Sequence, residues 1–578
     1  MTDDDDLIGE TPLERATRMA EAYLAPRQPT PQELARLVTE KFSDKMWRMN
    51  NLYVILNEDG LVEQFRLRHE QIDFLQNRHH RNFVPKARKL GMSTLIVLDY
   101  LDSCLFTKDF RCGVIDIKEA DAQDKLAIAR FAWDKGPTEH PDLALRMIWA
   151  TIITKSNKLM SSSNGHLAWR NGSEYTAGVR YTGKTPLKLH ISEFGPIAAQ
   201  APKVAEDIVR GSMNAVPMNG TIDVETTMEG GRIGHCYHIF KQALHATKEN
   251  QLTPLDWKMH FFSWLGHPSY RIRGARPKLQ STTDYFDKLT ETHRFWIMDK
   301  FGWENGVIPS DRQAWWEKKR ESLKDLMWQQ FPSTVDECDM ANVTGQIYPE
   351  MTTVRNQGRV TTFNPEPHLP FFLSADLGSS VNTALWLHQP AGKQHNVIDC
   401  AFGEGKGAAW VAETFRKWET THGQIVQLII PHDANTTDKG SGLTYVENLV
   451  KCGIPRNKIT VVPRTPDVWA GVDAVRKMLP RCWFHVRTDT PTTDTDGNEH
   501  PGGVVRLEGY RVRPSTSGAA STNPFKDGIC DHAADGFRTY AEADEQSLVR
   551  THLRVEEREN GTTSITGQRT VKVIMQTP

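Results

Sequence analysis

A chain of 578 residues exceeds the roughly 250–300 that one hydrophobic core normally organises, so at least two cores are expected. Its formal charge of -2 and ordinary globular composition exclude nucleic-acid binding through a global basic excess, so any such contact must use local patches. The eight cysteines lack a C-x-x-C pair or zinc spacing, and no apolar run approaches the ~20 residues of a membrane span, so reduced thiols and no membrane contact are expected.

In chain order, MTDDDDLIGE lacks the basic start and apolar core of a signal peptide, and residues 1–50 read as a lead segment with short helices around LAPRQPTPQE. LYVILNEDGLVEQFRL predicts two strands turning at Asn57–Gly60, and HEQIDFLQNRHH predicts a helix. The basic loop PKARKLGMST (85–94) runs into STLIVLDYLDSCLF, which has helical length. The strand CGVIDIK, a helix near 121–135 and strands near 187–191, 221–225 and 258–264 follow. Strands alternating with helices predict a mostly parallel sheet covered on both faces. The Asn-, Gly- and Pro-rich NQGRVTTFNPEPHLP predicts a linker at 356–370. Beyond it FFLSADLG, TALWLHQ and HNVIDCAF predict three strands, then come the helix GAAWVAETFRKWETTHG and the strand IVQLIIPHDAN, giving a mixed sheet with an antiparallel flank. Residues 546–578 are polar and read as a mobile tail.

The loop at 85–94 has the parts of a phosphate-binding loop except its usual lysine. Gly91, Ser93 and Thr94 supply the turn and hydroxyls before a helix N-terminus, while Met92 occupies the lysine slot. Lys86 and Arg88, upstream in the same loop, could supply the missing cation. LKLHISEFG ends a strand at Ser192–Glu193, where nucleotide hydrolases place a metal-binding acid followed by the carboxylate that activates water. GTIDVETTMEGGR ends another strand at Glu225, Thr226 and Thr227, a candidate coupling motif that senses the γ-phosphate. Upstream, Gln71 could read an adenine edge. Taken singly, each piece is equally compatible with a solvated turn or an ordinary strand end.

A second set of residues is acidic. Asp376 sits inside the apolar strand FFLSADLG, Asp433 repeats the arrangement in LIIPHDAN, and KDGICDHAADGFRTY supplies Asp527, Asp531 and Asp535, the last two on one helix face. Carboxylates from two strand ends and a late helix are what a two-metal site requires, with Mg²⁺ or Mn²⁺ ions roughly 3.5–4 Å apart. The bland alternatives are a strand-end turn for Asp433 and a solvated helix face for the last cluster. VPRTPDVWAGVDAVRKMLPR and RLEGYRVRP could touch DNA phosphates beside this site, or simply be solvated.

In their order and spacing, KARKLGMST, Gln71, LHISE, VETTMEGG, Asp376–Gly378, Asp433 and DHAADGFRTY resemble the motifs of the large terminase subunits of tailed bacteriophages. FPSTVDECD also resembles the segment closing their ATPase region. The resemblance implies an α/β chain: an N-terminal P-loop ATPase domain (51–355) with a mostly parallel sheet, and a C-terminal RNase H-like nuclease domain (371–545) with a mixed sheet. It implies ATP and Mg²⁺ at Gln71, Lys86, Arg88, Gly91, Met92, Ser93 and Thr94, with Glu193 as base, Ser93 as metal ligand and 225–227 as coupling element. Two Mg²⁺ or Mn²⁺ would sit on Asp376, Asp433 and Asp535, with Asp531 an additional ligand. Double-stranded viral DNA, a procapsid portal, a small terminase subunit and further copies of the chain are the implied partners, in the host cytoplasm and transiently on the portal. Ser192 departs from the pattern, standing where the family carries a metal-binding Asp, and Gly536 replaces the usual Ala. A stand-alone helicase or repair ATPase joined to a nuclease, and an assembly factor decayed at Met92 and Ser192, are the alternatives.

Overall fold

The computed structural model describes residues 28–181, 183–247, 252–324, 326–339, 343, 345–377, 382–437, 442–465, 467–493, 499–513, 523–550, 556–557 and 563–564. The start of the lead segment, Gly378 and most of the tail therefore lie outside the described residues. The chain forms two α/β units, Met1–Thr227 with His238–Val335, and Met228–Tyr237 with Asp336–Pro578.

A hairpin of β1 (Val54–Leu56) and β2 (Val62–Gln64) opens the first unit at the expected turn. Its main sheet comprises β3 (Arg81–Pro85), β4 (Arg111–Ile115), β5 (Leu159–Ser163), β6 (His166–Trp169), β7 (Glu174–Gly178), β8 (Lys188–Ser192), β9 (Thr221–Thr226) and β10 (Trp257–Met259). The order β10-β3-β9-β8-β4-β7 is parallel, and β6 and β5 continue it as an antiparallel flank. β3 escaped the sequence reading because RNFVP carries neither alternation nor a long apolar run, although all five residues are buried.

The helix Met92–Phe106 packs within this unit's core, with only Ser93, Thr94 and Phe106 less than buried, which is why its sequence is apolar on every side. It carries two buried carboxylates, each costly to bury without partners. Asp102 accepts hydrogen bonds from Arg48 (2.8 and 2.9 Å) and from Tyr53 Oη at 2.6 Å. Asp99 accepts from Lys188 Nζ at 2.6 Å and pairs with Arg78 and Lys45. Arg48 lies on the helix Lys45–Asn51, so the last turns of the expected lead segment are part of the first unit's core. β9 turns Asp223 and Glu225 to one face by the two-residue period of a strand. Asp223 is held there by Arg78, by Tyr100 Oη at 2.9 Å and by Asn82 Nδ2 at 2.8 Å.

The second unit's sheet comprises β11 (Val360–Thr361), β12 (Phe371–Leu377), β13 (Asn382–Ala391), β14 (Gln394–Glu404), β15 (Ile425–Ile430), β16 (Ile459–Val461) and β17 (Cys482–His485), in the order β11-β17-β14-β13-β12-β15-β16. β12, β13 and β14 are antiparallel and the rest pair in parallel, giving the expected mixed sheet. Residues 356–370, expected as a linker, are built into this unit. β11 pairs with β17, Arg359 donates to the carbonyls of Leu479, Pro480 and Cys482, and Gln389 closes on Glu366 and Leu369. Further upstream, Ile347, Tyr348, Met351 and Val354 belong to the same core.

Candidate functional site

Parallel strands carry their following loops to one edge, and in the first unit those of β3, β4, β8 and β9 gather there. β3 delivers the basic loop. Lys86 N donates to Thr226 O at 3.0 Å, and Arg88 is anchored by its backbone to Gln330 O and Tyr270 Oη, leaving its side chain exposed. Gly91 turns the chain at φ 72°, and a Cβ there would come within 3.0 Å of Gln71 Nε2. Gln71 is buried with its amide engaged, Nε2 donating to Gly91 O and Oε1 accepting from Arg68 N, both at 2.9 Å. It clamps the loop to the preceding helix. Met92 is buried in the first unit's core, so the lysine slot of this loop is a packing position.

The buried ammonium beside this loop is that of Lys86. Its ammonium lies 3.3 Å from Glu225 Oε2 and 3.5 Å from Glu193 Oε1. Burial works against this charge, yet the Glu225 and Glu193 carboxylates outweigh it and raise the Lys86 pKa above the ordinary lysine value. Burial alone would likewise raise Glu225, but Lys86, His190 and Ser93 hold it well below the usual carboxylate range. Ser93 Oγ donates to Glu225 Oε1, and Ser192 Oγ donates to the same oxygen at 3.2 Å.

Glu193 follows β8 in the left-handed region at φ 52°, a strained conformation for a residue with a side chain. The strain turns its carboxylate, 31 % exposed, toward the loop. Its Oε2 accepts from the N–H and hydroxyl of Thr227 at 3.2 and 3.3 Å, and Thr226 Oγ1 accepts from Gly195 N at 2.7 Å. The loop, Glu193, Thr226 and Thr227 are thus one connected group. Thr94 is half-buried at the start of the helix. Two members escaped the sequence reading: His190, 3.3 Å from Glu225, and Asp116 at the end of β4, whose carboxyl burial pushes up. Asp116 ends the strand CGVIDI as Glu193 ends its own, so the same signal was present.

In the second unit β12 and β15 are parallel neighbours, which puts Asp376 and the turn His432–Asn435 holding Asp433 at the same edge. The helix Cys530–Glu545 crosses β12 and β13 so closely that a Cβ on Gly536 would lie 3.2 Å from both Asp376 N and Ala384 O. This makes Gly536 a close-approach position. Burial pushes the Asp376 carboxyl up; His532, 2.7 Å away, opposes this, while the negative charges of Asp535 and Asp433 add to it. Asp433 is exposed, and Asp535 pairs with Lys526 at 2.9 Å and Arg538 at 3.1 Å. Asp531 is buried, accepts from Gly528 N at 2.8 Å and is pushed up to about 6 by burial. Asp527 caps the helix start through the amides of Ile529 and Cys530. Among the described residues no three His, Cys, Asp or Glu side chains are gathered closely enough to hold a metal ion as they stand. The basic stretches nearby are largely engaged internally, Lys477 with Glu545, Arg481 with Asp544, and Arg476 and Arg506 with backbone carbonyls. All eight cysteines are free, and among the described residues no helix is long and apolar enough to cross a membrane.

No family model and no curated protein matches the chain. Solved structures do. The large terminase of the thermophilic bacteriophage D6E is 12% identical, with a TM-score of 0.27 over 82% of this chain and 98% of that one. The large terminase ATPase domain of Thermus phage P74-26 is 10% identical over 47% of this chain and 94% of its own, at TM-score 0.27. The large terminase nuclease domain of bacteriophage SPP1, with bound Mn, is 15% identical over 30% of this chain and 86% of its own, at TM-score 0.23. These three solved chains are large terminases of bacteriophages, one whole and two as separate ATPase and nuclease domains.

Proposed function

We propose that the chain is a viral DNA-packaging motor subunit that hydrolyses ATP to translocate double-stranded DNA into a procapsid and cleaves concatemeric DNA with its second unit. The observation that carries the reading is the convergence of Lys86, Glu193 and Glu225 on the Gly91–Ser93 turn at the carboxyl edge of a parallel sheet.

The first site suits ATP with Mg²⁺. The amides after Gly91 open a helix N-terminus to phosphate, Lys86 supplies positive charge, and the buried Glu225 carboxylate lies against the Ser93 hydroxyl with its Oε2 facing Lys86 at 3.3 Å. Magnesium, when bound, neutralises charge developing on the phosphates. Glu193 is the only carboxylate of the three-residue group reached by solvent, so it orients and deprotonates the attacking water. Its hydrogen bonds to Thr227 couple that event to the end of β9.

In the second unit Asp376, Asp433 and Asp535 would hold two Mg²⁺ or Mn²⁺ ions, consistent with their hard oxygen donors and with the mutual repulsion that helps keep Asp376 raised. Such ions stabilise the attacking and leaving oxygens of a phosphodiester. His532 positions Asp376 through their 2.7 Å contact. A portal, a small subunit and further copies of the chain would complete the assembly.

The test is Mg²⁺-dependent ATP turnover by the full chain with duplex DNA, and nicking of supercoiled plasmid with Mn²⁺. Glu193→Gln is expected to lose about 100-fold or more in turnover. Asp376→Ala and Asp433→Ala are expected to abolish nicking while ATP turnover persists. Turnover by Glu193→Gln equal to that of the native chain would overturn the motor assignment, and persistent metal-dependent nicking by both aspartate variants would overturn the nuclease assignment.

A further inference from the structure

Ser192 ends β8 where phosphate-loop hydrolases hold their magnesium with an aspartate, and a serine hydroxyl is a weak substitute for a carboxylate. The neighbouring strand has one. β8 and β9 are paired so that Ser192 lies opposite Glu225. Glu225 is fully buried; its Oε1 collects the hydroxyls of both Ser93 and Ser192, and its Oε2 faces the Lys86 ammonium at 3.3 Å without forming a hydrogen bond. A buried carboxylate oxygen without a hydrogen bond is expensive unless something cationic completes it. Lys86 does so only in part, at 3.3 Å and shared with Glu193. Glu193 is ill placed for the same duty, since both its oxygens face Lys86 and Thr227.

We infer that Glu225 is the carboxylate ligand of the magnesium that accompanies ATP, transferred from the end of β8 to the end of β9 and acting with the Ser93 hydroxyl. This rests on the ATP-site reading above. The coupling strand and the metal ligand are then the same element, so cation binding is felt directly at Thr226 and Thr227.

The test counts the additional Mn²⁺ bound by the full chain when the imido analogue of ATP is added, by electron paramagnetic resonance. Nucleotide affinity without metal is followed separately by fluorescent ATP in EDTA. Glu225→Gln is expected to weaken the nucleotide-dependent Mn²⁺ about tenfold or more, beyond whatever change in nucleotide affinity is measured in EDTA. Ser192→Asp in the Glu225→Gln background is expected to recover metal binding. Glu225→Gln holding the additional Mn²⁺ as tightly as the native chain would overturn the inference while leaving the ATP site standing. No nucleotide binding by the native chain in either condition would remove both. Should Glu225→Gln fail to fold, Glu193→Ala protein carrying carboxylate-labelled glutamate decides the matter. A hyperfine coupling between bound Mn²⁺ and the labelled carbon supports the assignment, and its absence overturns it.

Discussion

Lys86 and Glu225 are a buried ion pair, and its energetics follow from what each would suffer alone. Removing one partner of such a pair strands the other charge in the interior at a cost of about 3–5 kcal/mol, whereas replacing both is often nearly neutral. Lys86→Met is therefore expected to lower the unfolding free energy by about that amount, and Glu225→Gln in the same chain to restore most of it. Denaturant unfolding of the two single variants and the double measures the coupling. Both single variants are also expected to lose ATP turnover, and so is the double, because stability returns without the charges. At the same scale Met92 explains the unusual loop. A residue at that position is buried in the first unit's core, so on the proposed reading the cation comes from Lys86 on the strand side.

The final helix depends on how near it comes to β12 and β13. Gly536 lets its backbone lie against Asp376 and Ala384, and Ser374 Oγ donates to Gly536 O at 2.8 Å to hold the contact. In Gly536→Ala the added methyl is favoured by helix propensity, by about 1 kcal/mol, but it meets two backbone atoms at 3.2 Å, and overpacking costs about 1–3 kcal/mol. The second effect wins. A lower unfolding midpoint is expected for the second unit, together with slower plasmid nicking as His532 and Asp535 are pushed from Asp376. Unfolding by circular dichroism and a nicking time course check the two parts.

At the scale of the molecule the boundary between the units decides which fragments can fold. Ile347, Tyr348, Met351 and Val354 are core residues of the second unit, and Arg355 bonds Asp489 at 2.8 Å and Glu508 at 2.6 Å. A fragment beginning at residue 336 is therefore expected to unfold cooperatively. One beginning at 360 is expected to be markedly less stable, because exposing several large core side chains costs about 1.5–3 kcal/mol each. Proteolysis and thermal unfolding of the two fragments make the comparison.

Acid sensitivity is also a whole-chain property. Burial lowers the pKa of His260 to about 3, whereas an unfolded histidine titrates near 6.5. Between those values the unfolded chain binds a proton that the folded chain refuses, so this contribution is complete above about pH 6.5 and lost as pH falls toward about 3. His260→Gln removes the term. The stability difference between native chain and variant is expected to shrink by about 1.4 kcal/mol per pH unit across that window, read from urea unfolding at successive pH values.

The strands and helices that bear the two sets of residues were legible because their physics is local. Apolar length marked the helix after the loop, alternation and β-branching marked β4, an apolar run marked β8, and Gly91 before two hydroxyls marked the turn. Acids at strand ends were legible as well, since an isolated charge in an apolar run is costly wherever the run folds. What depended on neighbours was not. β3 hides in RNFVP because its burial on both sides comes from the sheet, and Gln71 turns into a clamp because the loop returns across it. The segment 356–370 looks like a linker by composition yet supplies a strand. Glu225 read as part of a coupling motif. Only the pairing of β8 with β9, which sets it against Ser192 and beneath Ser93 and Lys86, turns it into the buried carboxylate of the site, because such registers are fixed by tertiary packing and not by any residue's own sequence surroundings.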